Sequence, residues 1–303
     1  MKAIDKLREI TTSLKNRGFG SAGKEAEILV SRCFDFTLLD IYKDNPDIDE
    51  NRLETVEQML ERRLRHEPLQ YIFGFEEFLG LKLSIGPGVL IPRPETELMA
   101  GKAIEAVKRE TLNVNRNTEK TESLNSQFSI HNSPFTVLDM CTGSGCLALA
   151  IAKEFPESRV IGSDISEAAI KYAKKNAEIN NINNAAFLTG DLFEPIGKQL
   201  VFDVIISNPP YIKSKDIHTL QPEIKDWEPV AALDGGEDGL EFYRKLIPQA
   251  KGFLKQNGLL MLELGIGQAE SAAAIMGSSG YADIQTIKDY AGVQRIIQAK
   301  WKK

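Results

Sequence analysis

The chain has 303 residues, 42% of them hydrophobic and 26% charged, with a formal net charge of −6. This is an ordinary globular composition with length for about two domains, and its acidic balance argues against a nucleic-acid substrate, which normally demands a basic surface. No apolar run approaches the ~20 residues of a membrane span, and the charged start at Met1–Ile10 lacks a signal core, so a cytoplasmic protein is expected. The three cysteines, Cys33, Cys141 and Cys146, include no Cys-x-x-Cys pair and fit free thiols in a reducing compartment. The histidines His66, His131 and His218 are scattered, so no metal is expected.

The first stretch reads as a small helical bundle. Leu7, Ile10 and Leu14 share one face. Ser21 is placed to cap a second helix carrying Ala26, Leu29, Val30 and Cys33, and Leu53, Val56, Leu60 and Leu64 recur at helical spacing until Pro68. The charges Glu61, Arg62, Arg63 and Arg65 read as a solvated face. Residues 75–92, with Gly80, Gly86 and Gly88 between short apolar stretches, predict a β-hairpin linking two domains. Pro94 then opens a helix to about Lys108, and the polar stretch 109–133 reads as a flexible insertion.

From Phe135 strands alternate with helices. Strands are predicted at Val137–Met140, Val160–Ser163, Ala186–Leu188, Phe202–Ser207 and Leu259–Leu264, with helices at Cys146–Phe155 and Ala168–Ile179. That order predicts an α/β fold with a doubly wound parallel sheet. Tyr281–Ile287 and Val293–Ala299, joined through Gly292, predict an antiparallel hairpin closing it.

Two constellations carry chemistry. In the first, Cys141, Thr142, Gly143, Ser144 and Gly145 lie between the first strand and its helix, where glycines allow close approach to a ligand at a helix N-terminus. Asp164 ends the second strand, where a carboxylate can accept both hydroxyls of a ribose, and Asp191 with Leu192 follows the third, where an adenine edge can be met. The Gly-Lys-Ser/Thr of a phosphate loop is absent. Gly-x-Gly-x-x-Ala leaves a nicotinamide dinucleotide open, and an adenosine-containing cofactor is common to both readings. In the second constellation, Asn208, Pro209, Pro210 and Tyr211 form a stiff corner after the fourth strand, since each proline restricts the residue before it. Its amide oxygen, carbonyls and aromatic ring suit a planar –NH2 group.

These residues resemble class I S-adenosylmethionine-dependent methyltransferases acting on amino nitrogen. With Glu67–Ile72, Leu90–Glu97, Ala232–Gly239 and Leu262–Gly265, the chain from about Glu67 to Val293 is similar to the HemK/PrmC protein-glutamine methyltransferases. The resemblance implies a class I, Rossmann-like sheet with an antiparallel C-terminal hairpin in residues 93–303, preceded by a helical substrate-recognition domain over 1–74. It implies S-adenosyl-L-methionine as cofactor and, as substrate, the glutamine of the Gly-Gly-Gln loop in class I peptide chain release factors. Cys141 to Gly145 would then line the methionine moiety, Asp164 the ribose, and Asp191 with Leu192 the adenine. Asn208 and the Pro209 carbonyl would hold the amide, Pro210 would stiffen the corner and Tyr211 would wall it. Arg93, Glu95, Glu97, Trp227–Pro229 and Asp234–Gly236 are candidates for the rim. The sequence departs from the family at Cys141, where a glycine is common, and in the length of 109–133. A ribosomal-protein glutamine methyltransferase and an adenine-amine DNA methyltransferase stay as alternatives, the latter disfavoured by the acidic charge. A monomer without membrane or direct nucleic-acid partners is expected.

Overall fold

The computed structural model describes residues 1–122 and 135–302. It divides into two compact units, one of Met1–Phe73 with Pro222–Trp227, the other of Gly74–Gln221 with Glu228–Lys303.

The first unit is helical. Helices α1 (Ala3–Asn16), α2 (Ala22–Phe34), α3 (Leu53–Leu64) and α4 (Leu69–Phe73) enclose Ile10, Leu14, Ala26, Leu29, Val30, Val56 and Leu60, the apolar stripes that the spacing marks out. Ser21 stands at the N-cap of α2, but its hydroxyl donates to Glu25 Oε1 at 2.7 Å instead of accepting from the backbone. The solvated face expected around Arg63 is corrected. Arg63 is buried, pairing with Glu25 at 2.5 Å and Glu223 at 2.9 Å, while Arg62 reaches the Glu67 carboxylate and the Tyr71 and Ile72 carbonyls. A buried guanidinium persists only with such partners. They lie 38 and 160 positions from Arg63, out of reach of local pattern reading.

The second unit starts with the hairpin β1 (Phe75–Phe78) and β2 (Leu81–Ser84), then α5 (Pro94–Glu122). Residues 109–122, expected outside regular structure, continue α5. A helix once nucleated propagates at little cost per residue, and no glycine or proline follows Gly101 in this stretch. Residues 123–133 of the expected insertion lie outside the described residues. Next come β3 (Thr136–Met140), α6 (Cys146–Glu154), β4 (Arg159–Asp164), α7 (Glu167–Ile179), β5 (Ala185–Thr189) and β6 (Phe202–Ser207). With the helical turn Pro222–Lys225 of the first unit counted as α8, the chain ends with α9 (Glu241–Ala250), β7 (Leu254–Glu263), α10 (Ala269–Ser278), β8 (Ala282–Lys288) and β9 (Gln294–Lys300).

The sheet has seven strands in the order β5-β4-β3-β6-β7-β9-β8. The first five are parallel, with Val137 opposite both Val160 and Val204, and β9 then runs antiparallel between β7 and β8. Helices on both faces bury the central strands β3, β4, β6 and β7, hence their apolar runs, while the edge strands β5 and β8 expose part of their length. Strand order reverses between β3 and β6, which opens a crevice at the carboxyl ends of the strands. Among the described residues no helix is long and apolar enough to cross a membrane.

Candidate active site

One side of the candidate site is built where β3 turns into α6. Positive φ angles at Cys141 (58°), Gly143 (55°) and Gly145 (82°) fold the loop back toward β4. A Cβ on Gly145 would stand 3.1 Å from the Ala173 Cβ and 3.2 Å from the Phe187 ring, and with its positive φ this crowding favours glycine at the turn. Thr142 N–H donates to the Ser163 carbonyl at 3.0 Å. Behind the loop Asp139 is wholly buried, its Oδ2 accepting from Thr142 Oγ1 at 2.6 Å and Ala148 N–H at 3.1 Å. Its Oδ1 has no partner, and burial pushes the carboxyl up to about 7. Asn176 on α7 accepts from Ser84 N–H and donates to the Ser84 and Ser144 carbonyls, tying β2 to the same loop.

A cleft of about 620 Å³ opens over these elements, within the size range of small-molecule sites. Cys141, Thr142, Gly143 and Ser144 form one wall, Asp164, Asp191 and Leu192 another, and Asn208 and Pro210 a third. Gly145, Pro209 and Tyr211 are not among the lining residues. Asp164 Oδ1 accepts from Ser166 N–H and Oδ2 from Gly143 N–H, both at 2.9 Å. Each oxygen thereby keeps one lone pair, an acceptor pair matched to two vicinal hydroxyls. Burial raises this carboxyl above the usual range against those two backbone donors. The acceptor pair, the small-residue loop and the cleft volume together fit S-adenosylmethionine.

The opposite side is the corner after β6. Asn208 Nδ2 donates to Thr96 Oγ1 at 3.1 Å, and Thr96 Oγ1 donates to Glu263 Oε2 at 2.8 Å. Tyr211 turns its hydroxyl to Glu263 Oε1 at 3.4 Å. Burial pushes the Glu263 carboxyl up to about 7, with Glu95 adding to the rise and Thr96, Tyr211 and Arg295 opposing it. Glycine is required beside the corner: a Cβ on Gly235 would lie 2.7 Å from Tyr211 Cα, and one on Gly239 would lie 2.5 Å from the Tyr211 carbonyl. Gln268 Nε2 donates to that carbonyl at 2.9 Å.

The rim candidates separate. Arg93 lines the cleft and pairs with buried Glu228 at 2.5 Å, whose other oxygen accepts from Ile91 N–H. Pro229 and Asp234 also line it, Asp234 accepting from Ser214 Oγ and Gly236 N–H. Glu97 instead accepts from Leu79 N–H at the hairpin turn, and Glu95 stands 3.8 Å from Arg295. Trp227 belongs to the first unit. Sequence reasoning gave no role to Thr96 or Gln268 and missed α9, which brings Phe242 and Lys245 to the cleft. Thr96 and Glu263 do fall inside the quoted motifs, the only signal that could have found them.

A Rossmann-like sheet with this cleft at its switch point defines an S-adenosylmethionine-dependent methyltransferase. A methyltransferase-domain model matches residues 131–295 and a PrmC N-terminal domain model residues 5–74. The release factor glutamine methyltransferase of Thermodesulfovibrio yellowstonii is 43% identical over 98% of this chain and 97% of its own length. That of Geobacter sulfurreducens is 38% identical over 94% and 91%. Among solved structures, a methyltransferase from Pyrococcus furiosus shares the fold with a TM-score of 0.51 and 21% identity, covering 74% of this chain and 91% of that one. The chain belongs to the release factor glutamine methyltransferase family.

Proposed function

We propose that this protein methylates the side-chain amide nitrogen of the glutamine in the Gly-Gly-Gln motif of class I peptide chain release factors. S-adenosylmethionine supplies a methyl group on a sulfonium, which passes to nitrogen as the sulfur keeps the bonding pair. An amide nitrogen is a poor nucleophile because its lone pair is shared with the carbonyl, the resonance that gives a C–N rotation barrier of roughly 18–20 kcal/mol. The task of the chain is therefore to aim that nitrogen and to favour the positive charge that grows on it. Asn208 Oδ1, on the cleft wall, accepts one N–H bond, and the second goes to the Pro209 carbonyl once the bound acceptor reaches past the present lining, with Pro210 stiffening the corner and Tyr211 walling it. The N–H proton becomes acidic as the methyl arrives and leaves to solvent, so no dedicated base is required.

One observation carries this reading. Asn208 has its NH2 engaged by Thr96 while the residue lines the cleft, which leaves its oxygen to accept from a ligand. The relatives, named release factor glutamine methyltransferases, support the choice of acceptor. Residues 1–74 are read as the substrate-recognition domain, residues 75–92 as the linking hairpin, and the protein as a cytoplasmic monomer.

The test is to incubate the protein with labelled S-adenosylmethionine and a release factor, a ribosomal fraction or DNA, and to locate the label by mass spectrometry. Label on the release-factor glutamine is expected, transferred slower by orders of magnitude in Asn208→Ala with cofactor binding reduced far less. Label on DNA alone, on none of the three, or near-normal turnover in Asn208→Ala overturns the reading.

A further inference from the structure

We propose that Glu263 is a positioning residue for methyl transfer: acting through Thr96, it sets which way round the Asn208 amide faces the cleft. The inference rests on the reading of Asn208 as amide holder and adds what orients it. An asparagine amide is nearly symmetric in shape, so packing alone does not choose between its oxygen and its nitrogen. Hydrogen-bond partners must choose.

The choice follows from a count of protons. Thr96 Oγ1 has one proton to give and lone pairs to receive. An ionised Glu263 is acceptor-only, so the hydroxyl donates to Oε2 at 2.8 Å. Toward Asn208 it then acts only as acceptor, which draws in Nδ2 at 3.1 Å and leaves Oδ1 for the cleft. A protonated Glu263 can reverse the relay. Its O–H donates to Thr96, the Thr96 hydroxyl is free to donate to Asn208, and the amide that accepts it turns its NH2 to the cleft. Two donor groups, that NH2 and the NH2 of the acceptor glutamine, would then meet.

The surroundings isolate this relay. Thr96 and Glu263 are 2% and 1% exposed, and Thr96 lies against the cleft, so the relay runs from a buried carboxylate to the cleft wall. Other titratable groups facing Glu263 are Glu95 from α5, Cys146 from α6, Tyr243 from α9, Arg295 from β9 and the Tyr211 hydroxyl from the corner itself. Arg295 is shared with Asp289 at 3.0 Å and Glu95 at 3.8 Å, so its charge only partly offsets burial. The carboxyl consequently titrates near 7, inside the range where the enzyme can be assayed.

The experiment compares wild type with Thr96→Val, Thr96→Ser, Glu263→Gln and Asn208→Ala, following methyl transfer to the release factor at saturating cofactor and acceptor from about pH 5.5 to 8.5. Cofactor Kd and circular dichroism are measured in parallel. Thr96→Val is expected to lower kcat about 10²-fold, the scale of a misaligned reacting group, with cofactor Kd kept within about threefold. Thr96→Ser, which keeps the hydroxyl, restores it. Wild-type kcat falls on the acid side of about 7, and Glu263→Gln loses that limb. In the Asn208→Ala background Thr96→Val costs nothing further, because the group it orients is gone. Wild-type turnover in Thr96→Val, failure of Thr96→Ser to rescue, or an acid limb surviving in Glu263→Gln overturns the inference. The two threonine variants decide alone if Glu263→Gln does not fold. An active Asn208→Ala would instead sink the underlying reading, so the two failures are separable.

Discussion

Gln268 Nε2 donates to the Tyr211 carbonyl at 2.9 Å, fastening the last residue of the Asn-Pro-Pro-Tyr corner to the N-terminus of α10. The same nitrogen donates to the Gly239 carbonyl at 3.0 Å, and the side-chain oxygen accepts from Gly265 N–H at 2.9 Å. One side chain thus satisfies three backbone groups from three loops. Truncation leaves them unpaired, at about 1–3 kcal/mol for each that water does not reach. Gln268→Ala should lower the unfolding midpoint and reduce kcat through a looser corner. Cofactor Kd should change little, because the loop after β3 does not depend on Gln268. Thermal unfolding and calorimetric titration check the two halves of this expectation, and an unchanged midpoint would remove the brace.

The proposed ribose contact at Asp164 gives a second prediction. Asp164 holds the cofactor loop through Gly143 N–H and the start of α7 through Ser166 N–H. Asp164→Ala removes the proposed hydroxyl acceptor together with the group that orders the loop around it. Cofactor Kd should rise about 100-fold, the effect of two charge-assisted hydrogen bonds at the lower end of their range. Asp164→Asn, which retains one acceptor oxygen, should lose less. Calorimetry that finds equal affinity in wild type and alanine variant would take Asp164 out of the ribose role.

A third concerns Cys141, in the loop after β3. Its φ of 58° lies in the left-handed region, where a side chain costs of order 1–3 kcal/mol. Cysteine is unbranched at Cβ and tolerates this better than a β-branched residue, the hardest to place there. Cys141→Gly should bind cofactor as wild type does, whereas Cys141→Val should lose at least about 1 kcal/mol of stability and weaken binding. The thiol is no candidate nucleophile, because burial and the Asp164 carboxylate push its pKa above the ordinary thiol value. Tight binding by Cys141→Val, measured alongside its unfolding midpoint, would show that the loop does not require this backbone geometry.

Much of this architecture was legible because its signals are local. Strands buried on both faces appear as unbroken apolar runs, and the acids that close them, Asp164 and Asp191, sit at the predicted strand ends beside the cleft. The connections that position the corner are not local. Thr96 lies 112 residues before Asn208 and 167 before Glu263, and no periodicity relates them. Helix α9, which carries Pro248 within it, also escaped, although its face bearing Tyr243, Leu246 and Ile247 is buried. The polar residues 109–122 show the converse, a helix continued by propagation where composition suggested none.

The final prediction is a pH dependence of stability set by Asp139. Its folded-state carboxyl titrates at about 7, against 3.8 for an ordinary aspartate, because burial outweighs the bonds from Thr142 and Ala148. Between those two values the folded protein holds a proton that the unfolded chain has released. Stability from this group is therefore full below pH ~4 and is lost as pH rises through about 7. Above that, an ionised carboxylate is buried with Oδ1 unpaired. Asp139→Asn carries no charge, and its oxygen can still accept from Thr142 and Ala148. The variant should be the less stable or equal form in acid and gain on wild type by a few kcal/mol as pH is raised across this window. Chemical denaturation of both proteins at about pH 5 and pH 8 measures the difference. A constant gap between the two curves would mean that Asp139 keeps an ordinary carboxyl pKa in the folded state.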